Sequence, residues 1–321
     1  MPADATAAAV QVTKAPPWHG WVLVDLFCSS LASGTFSVAA LAILFGPADL
    51  VPAARIAFLI VFPVMLVDLV SLIGDLGDPL RFHHMLRVIK PQSAMSLGVW
   101  AISLFSFVAF LAFAGAALGV ADSMMRAIGA AGLVPALVTS AYKGVLLSTT
   151  AQPVWRHLRW LGGGFTISAA AMGIAVMTPI AFALELETTY RAITTLFALL
   201  MVLNLIAMRS TFVGLIDVGS AQRRGTAVIA HRLVTYLGSL IPLVLVNPWA
   251  SGSIRTWLAA ATVLLSAVAF RWFIVHVPGL TQRAGRVDPH LDLAATPSPP
   301  TEMKTGLPPP DRLRSNLRIP T

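Results

Sequence analysis

The chain has 321 residues, of which 57% are hydrophobic and only 11% charged, with a formal net charge of +8 and a single cysteine. Soluble domains carry about 25% charged residues, so these residues cannot cover a water-exposed surface of this size, and a soluble enzyme is excluded. One thiol, Cys28, excludes an internal disulfide and a self-contained iron–sulfur cluster.

Residues 1–17 are Ala-rich and lack a basic stretch followed by a short apolar core and a cleavage site. They read as a disordered N-terminal segment, and the first apolar run is expected to stay as a membrane helix, with Cys28 a small buried apolar residue within it. A transmembrane helix needs about 20 mostly apolar residues. Such stretches lie near Trp21–Phe45, Ile56–Gly74, Ser93–Gly119, Ala127–Leu147, Trp160–Leu184, Ala192–Ile216, Leu233–Val246 and Trp257–Val277. The predicted fold class is therefore all-α integral membrane with about eight transmembrane helices, in a polytopic domain spanning 18–280. The third stretch is the clearest, with no charge from Pro91 to Ala121. The seventh is the least defined, because Pro242, Asn247 and Pro248 interrupt it.

Ser30 and Gly34 form a small-x-x-x-small pair suited to close helix approach, and the run Gly162–Gly164 reads the same way. Pro63, Pro135, Pro179 and Pro242 fall inside spans and predict kinks. Trp18, Trp21, Trp155, Trp160, Trp249 and Trp257 stand at span ends, where interfacial anchors belong. Residues 281–321 are Pro-rich with few apolar groups to bury, and read as a disordered tail.

An even number of spans puts both termini on one face. Of the 22 Lys and Arg, 18 lie on or nearest that face, and only Arg55, Arg126, Arg191 and Arg255 lie on the other. The positive-inside rule then places both termini in the cytoplasm, and membrane topology accounts for the positive charge without nucleic acid.

Ionisable groups inside spans are costly and mark candidate sites. Asp25, Asp68, Lys143, Arg209 and Arg271 all fall in the half of the bilayer next to the terminal face. That asymmetry points to a polar pocket entered from one side. Asp68 and Lys143 sit at matching depth and are expected to pair; Tyr142, beside Lys143, can donate to a carbonyl ligand. Arg209 and Arg271 either join the pocket or extend to the interface. After the second span, Asp78 suits an N-cap and Pro79 the first helical position. Phe82, Met85, Leu86 and Ile89 fall on one face, Arg81, His84 and Arg87 on another, predicting a short amphipathic surface helix. Asp75 follows Asp68 by seven residues and shares its face if the second helix continues. No histidine lies mid-span, and His83 and His84, being adjacent, cannot both face one iron. No zinc spacing, phosphate loop or hydrolase elbow is present, and no metal is expected.

These residues carry a resemblance. The stretch Gly74-Asp75-Leu76-Gly77-Asp78-Pro79-Leu80-Arg81-Phe82, then Met85-Leu86-Arg87 and Lys90-Pro91-Gln92-Ser93-Ala94-Met95-Ser96-Leu97-Gly98-Val99-Trp100, resembles the NrfD/PsrC family of membrane subunits in polysulfide reductase and related molybdoenzyme complexes. Ala141-Tyr142-Lys143-Gly144-Val145-Leu146-Leu147 is similar to the family's A-Y-T-G-x-L-L, with Lys143 replacing the usual threonine. The resemblance implies two four-helix bundles, about 18–150 and 155–280. It implies a quinone such as menaquinone bound in the first bundle, with no haem or metal on this chain. The matching pocket residues are Tyr142 with Lys143, and on the first helix Asp25 and Ser29, beside Ser30 and Ser33. Asp68 and Asp75 are the expected proton relay. Arg81, His84, Arg87 and Lys90 are the expected docking residues for an iron–sulfur subunit, which leads on to a molybdenum catalytic subunit. The expected location is the bacterial cytoplasmic (inner) membrane. Alone the chain is expected to be non-catalytic; in its complex it would oxidise quinol or reduce quinone. A proton-coupled secondary transporter using Asp68 and Lys143 is the alternative, and a haem b cytochrome a weaker one.

Overall fold

The computed structural model describes residues 20–76, 78, 83–84, 86–87, 89–150, 153–156, 158–217, 221–246 and 252–284. Both expected disordered ends, 1–17 and most of 281–321, lie outside the described residues. Among those described there is no strand, and eight helices are long and apolar enough to cross a membrane. The protein is a multi-pass membrane protein. We number the spanning helices α1 (Gly20–Phe45), α2 (Val51–Gly74), α3 (Ala94–Ala117), α4 (Asp122–Ser148), α5 (Leu161–Ala183), α6 (Glu187–Asp217), α7 and α8 (Ser253–Ala284). Helix α7 is composite: Ala221–Thr235 is α-helical, Tyr236–Leu240 is a π-turn and Ile241–Leu245 is α-helical again.

These helices are apolar on every side because their outer faces meet lipid. In α3 the inward residues Gly98, Ile102, Phe105, Ala109 and Ala112 recur at helical spacing and are buried, while the outward Leu104, Phe107 and Phe110 are exposed and equally apolar. Helix α3 begins where Ser93 caps it: its Oγ accepts from the Ser96 backbone N–H at 3.4 Å, and the Ser96 hydroxyl accepts from Lys90 N at 3.0 Å. The two serines thus satisfy helix-start and loop donors together. At the opposite face Arg55 of α2 ties the α3–α4 turn, pairing with Asp122 at 2.6 Å and bonding Val120 O.

Helices α1–α4 pack on one another around Phe36, whose ring meets Phe58 at 5.2 Å and Phe105 edge-on at 5.4 Å. Helices α5–α8 pack around Phe165, Phe212 and Phe270. The two sets share one body, because α1 also packs on α5 and α8, and α4 on α5. Small residues make this possible. A Cβ on Gly34 would enter the Ala169 backbone, and one on Gly173 would enter the Gly34 backbone. Gly144 meets Leu161 and Gly162 in the same way, so the glycine pattern reports helix packing.

Several details depart from the sequence reading. Helix α7 starts at Ala221, three turns before the expected Leu233, because its first half carries Arg223, Arg224, His231 and Arg232 and is not apolar enough to stand out. His231 therefore lies within a spanning helix. Helix α8 continues to Ala284, past the expected boundary at 280. Trp155 is no interfacial anchor: it is 1% exposed and donates its indole N–H to Ile274 O at 2.9 Å. Cys28 is half-buried. The stretch after α2 has His83, His84 and Leu86 in 3₁₀ turns, not an α-helix, while Pro79–Phe82 and Met85 lie outside the described residues.

Candidate functional site

The serines of α1 set the site's polarity. Ser30, Ser33 and Ser37 each return their hydroxyl to the carbonyl four residues back, Leu26, Ser29 and Ser33, at 3.0, 2.7 and 2.7 Å. That is the usual solution for a hydroxyl inside a helix. Ser29 breaks the pattern. Its corresponding carbonyl is Asp25 O, which accepts from Lys143 Nζ at 3.1 Å, and Ser29 Oγ is left buried without a partner.

Lys143 is the centre of the cluster. From α4 its ammonium reaches Asp25 Oδ1 on α1 at 2.8 Å and Asp68 Oδ1 on α2 at 3.1 Å. The expected Asp68–Lys143 pair is thus present, and Asp25 completes a triad. Each residue lies five or six positions from its helix end, about 8–9 Å deep. The side chains are 0% exposed for Asp68, 5% for Lys143 and 11% for Asp25, so Asp25 is nearest open space. Asp68 Oδ2 and, one turn before Lys143 on α4, Thr139 Oγ1 are buried without partners. Charges this deep persist only when paired or hydrogen-bonded. The triad supplies two carboxylates for one ammonium.

Tyr142 lies beside this cluster, its ring centroid 5.7 Å from Lys143 Nζ and its residue 8% exposed. Its ring rests on Gly98 of α3, where any Cβ would collide with it. The glycine therefore positions the tyrosine. Further along the α3–α4 seam, toward the bilayer interior, is an apolar groove of about 620 Å³ lined by Trp100, Leu104, Phe107, Val134, Pro135 and Val138. Val138 and Val134 stand one and two turns from Tyr142 along α4, so the groove begins about one turn from the tyrosine.

A second cation, which the sequence left between the pocket and the interface, is buried nearby. Arg271 of α8 is fully buried and does not extend to the interface. Its Nε donates to Leu26 O at 2.9 Å, and its Nη1 to Ala267 O at 3.0 Å and Ser168 Oγ at 3.3 Å. Its guanidinium lies 5.1 Å from the Phe165 centroid. Sequence could not choose between burial and extension, because a long cation near a helix end satisfies either.

Over residues 8–282 the chain matches the family model described as polysulfide reductase, of NrfD type. The chain belongs to the NrfD/PsrC family. No curated protein matches it. The family consists of membrane subunits of oxidoreductase complexes, and in this NrfD-type chain the family's motifs acquire positions. The motif glycine Gly98 seats Tyr142, Trp100 lines the groove, and Ser93 and Ser96 cap α3. Asp75 caps α2 at its exposed end. His84, Arg87 and Lys90 are exposed in the α2–α3 segment, and Arg81 lies outside the described residues. Asp25, Ser29, Asp68, Tyr142 and Lys143 come together; Asp75 and the basic segment lie outside that cluster, beyond the end of α2.

A polar cluster in the other half was missed altogether. Pro242 has no N–H to give the Gly238 carbonyl, which instead accepts from Asn204 Nδ2 of α6 at 3.1 Å. Asn204 Nδ2 also lies 3.1 Å from Ser239 Oγ, and the backbone widens there into the π-turn. Pro242 was legible as a kink; its partner on another helix was not.

Proposed function

We propose that this chain is the quinone-reactive membrane subunit of an oxidoreductase complex. A quinone such as menaquinone would bind at Tyr142, Lys143, Asp25 and Ser29, and electrons would pass to or from an iron–sulfur partner leading to a molybdenum catalytic subunit. The observation that carries this reading is the buried Lys143–Asp25–Asp68 triad beside Tyr142, on the same helix, α4, that gives Val134 and Val138 to a lipid-facing apolar groove. Such sites need an apolar slot and a few convergent polar groups. The residues fit: the groove suits an isoprenoid tail, and Ser29 Oγ, Asp68 Oδ2 and Thr139 Oγ1 are buried groups lacking partners.

When bound, quinol supplies two electrons and two protons on oxidation to quinone. The protein's part is to orient and to carry protons. Tyr142 and Lys143 donate to a head-group oxygen, and Asp25 and Asp68 hold protons at their carboxylate oxygens. From Asp68, Asp75 lies seven residues or about 10 Å along α2, at the exposed end of the helix. His84, Arg87 and Lys90 on that side offer positive charge to an acidic partner, as Arg81 of the same motif would. The charge bias supports a cytoplasmic setting for this face, with the bacterial inner membrane as the membrane we propose.

The test is quinone binding by the purified full-length protein in detergent, for wild type, Tyr142→Phe and Asp68→Asn. Saturable binding weakened about tenfold by either change, the size of one charge-assisted hydrogen bond, is expected. Absence of binding in folded, monodisperse wild type would overturn the reading and leave a membrane anchor or a transporter.

A further inference from the structure

The site above leaves one basic groove unexplained. It lies in the other half of the protein, between the start of α5 and the end of α6, and measures about 480 Å³. Arg159 and Trp160 come from the turn before α5, and Arg209 from α6. Leu158, Ile206 and Val213 form the apolar wall. The groove opens on the face that holds Lys143, because Gly144 of α4 packs on Leu161 and Gly162, and Gly164 packs on Thr211.

Three observations define its ligand. Arg159 and Arg209 are exposed and, among the described residues, neither pairs with an acid. They are 50 positions apart in sequence yet line one groove, so two cations converge where a single extended arginine would satisfy only itself. The groove also straddles the membrane boundary. Arg209 lies within the apolar span Thr189–Val213, four residues or about 6 Å from its end. Trp160, 70% exposed, marks the interface. A water-soluble partner docks above this depth; a lipid phosphate sits at it, with its acyl chains along Ile206 and the outer wall. Basic pockets between helices on the positive face suit anionic head groups.

We propose that Arg159 and Arg209 form a binding site for the phosphodiester head group of an anionic phospholipid. The site is separate from the Lys143 cluster and would anchor the α5–α6 end of the protein in the leaflet that carries its basic face.

The experiment is native mass spectrometry of the full-length protein from mild detergent. It is titrated with phosphatidylglycerol or phosphatidylcholine of the same acyl chains, and with inorganic phosphate. Wild type is expected to retain phosphatidylglycerol at least about tenfold better, since the site reads net charge as well as phosphate. R159Q/R209Q is expected to lose about thirtyfold and its preference with it, as two arginines near a charged surface imply. Arg126→Gln, on the opposite face, leaves retention unchanged. Equal retention of the two lipids by wild type overturns the proposal, as does an undiminished preference in R159Q/R209Q. Displacement of the lipid by millimolar inorganic phosphate overturns it in favour of a free-anion site. Loss of an acidic protein's binding with lipid preference intact overturns it in favour of a docking site. Should the double variant fail to fold, Arg159→Gln alone, at an exposed turn, gives the same reading with about a fivefold loss.

Discussion

Lys143 and Arg271 donate to successive carbonyl oxygens of α1, Lys143 to Asp25 O at 3.1 Å and Arg271 to Leu26 O at 2.9 Å. One cation comes from α4 and the other from α8, so the start of α1 is gripped from both halves of the protein. Their electrostatic situations differ. Lys143 has two carboxylates within 3.1 Å. Arg271 has none among the described residues and is held by carbonyls, Ser168 and the Phe165 face.

This difference predicts opposite tolerance to the same substitution. Lys143→Met strands two buried carboxylates and is expected to cost about 3–5 kcal/mol, the usual penalty for breaking a buried pair. Arg271→Met removes a buried charge along with its desolvation cost, and is expected to cost under about 2 kcal/mol. Thermal unfolding in one detergent compares them. Adding Asp68→Asn to Lys143→Met should raise the melting temperature above that of Lys143→Met alone; a further fall would show that the triad is not coupled.

Gly98→Ala tests the seat of Tyr142. The added methyl collides with the tyrosine ring, so the ring must move off the α3–α4 seam. Overpacking of this kind costs about 1–3 kcal/mol. Quinone affinity is expected to fall about tenfold while the protein still folds. Unchanged affinity would mean that the ring's position does not matter to the site.

Asn204→Leu tests the π-turn. It deprives the Gly238 carbonyl of its donor inside an apolar environment and is expected to cost about 1–3 kcal/mol. Pro242→Ala restores a backbone N–H in reach of that carbonyl. In the Asn204→Leu/Pro242→Ala double variant part of the loss is expected to return, read as a favourable coupling in a double-mutant cycle. Additive losses would show that Asn204 acts in some other way.

Legibility of the sequence followed physical cost. Charges are so unfavourable in lipid that their depth alone paired Asp68 with Lys143, and long uncharged runs marked the helices without any periodic pattern. What failed was rotation about a helix axis. Arg271 and Trp155 are compatible in sequence with either an inward or an outward aspect, and only packing decides. The polar start of α7 was invisible because Arg223, Arg224, His231 and Arg232 break the apolar run by which a span is read. Gly98 could be read as part of a motif, but its duty to Tyr142 is a contact between α3 and α4, which no spacing along one helix reveals.

The backbone contact of Gly34 with Ala169 and Gly173 limits how the protein can move. Alternating access requires one half to rock against the other about a central site. Here α1 and α5 meet with no side chains between them to repack, and the Arg271 bond to Leu26 fastens the same seam nearer the terminal face. Sliding or rolling at that contact would force main chain into main chain. The molecule is built as a fixed frame, in which a visiting ligand is met by side chains and not by a change of the whole.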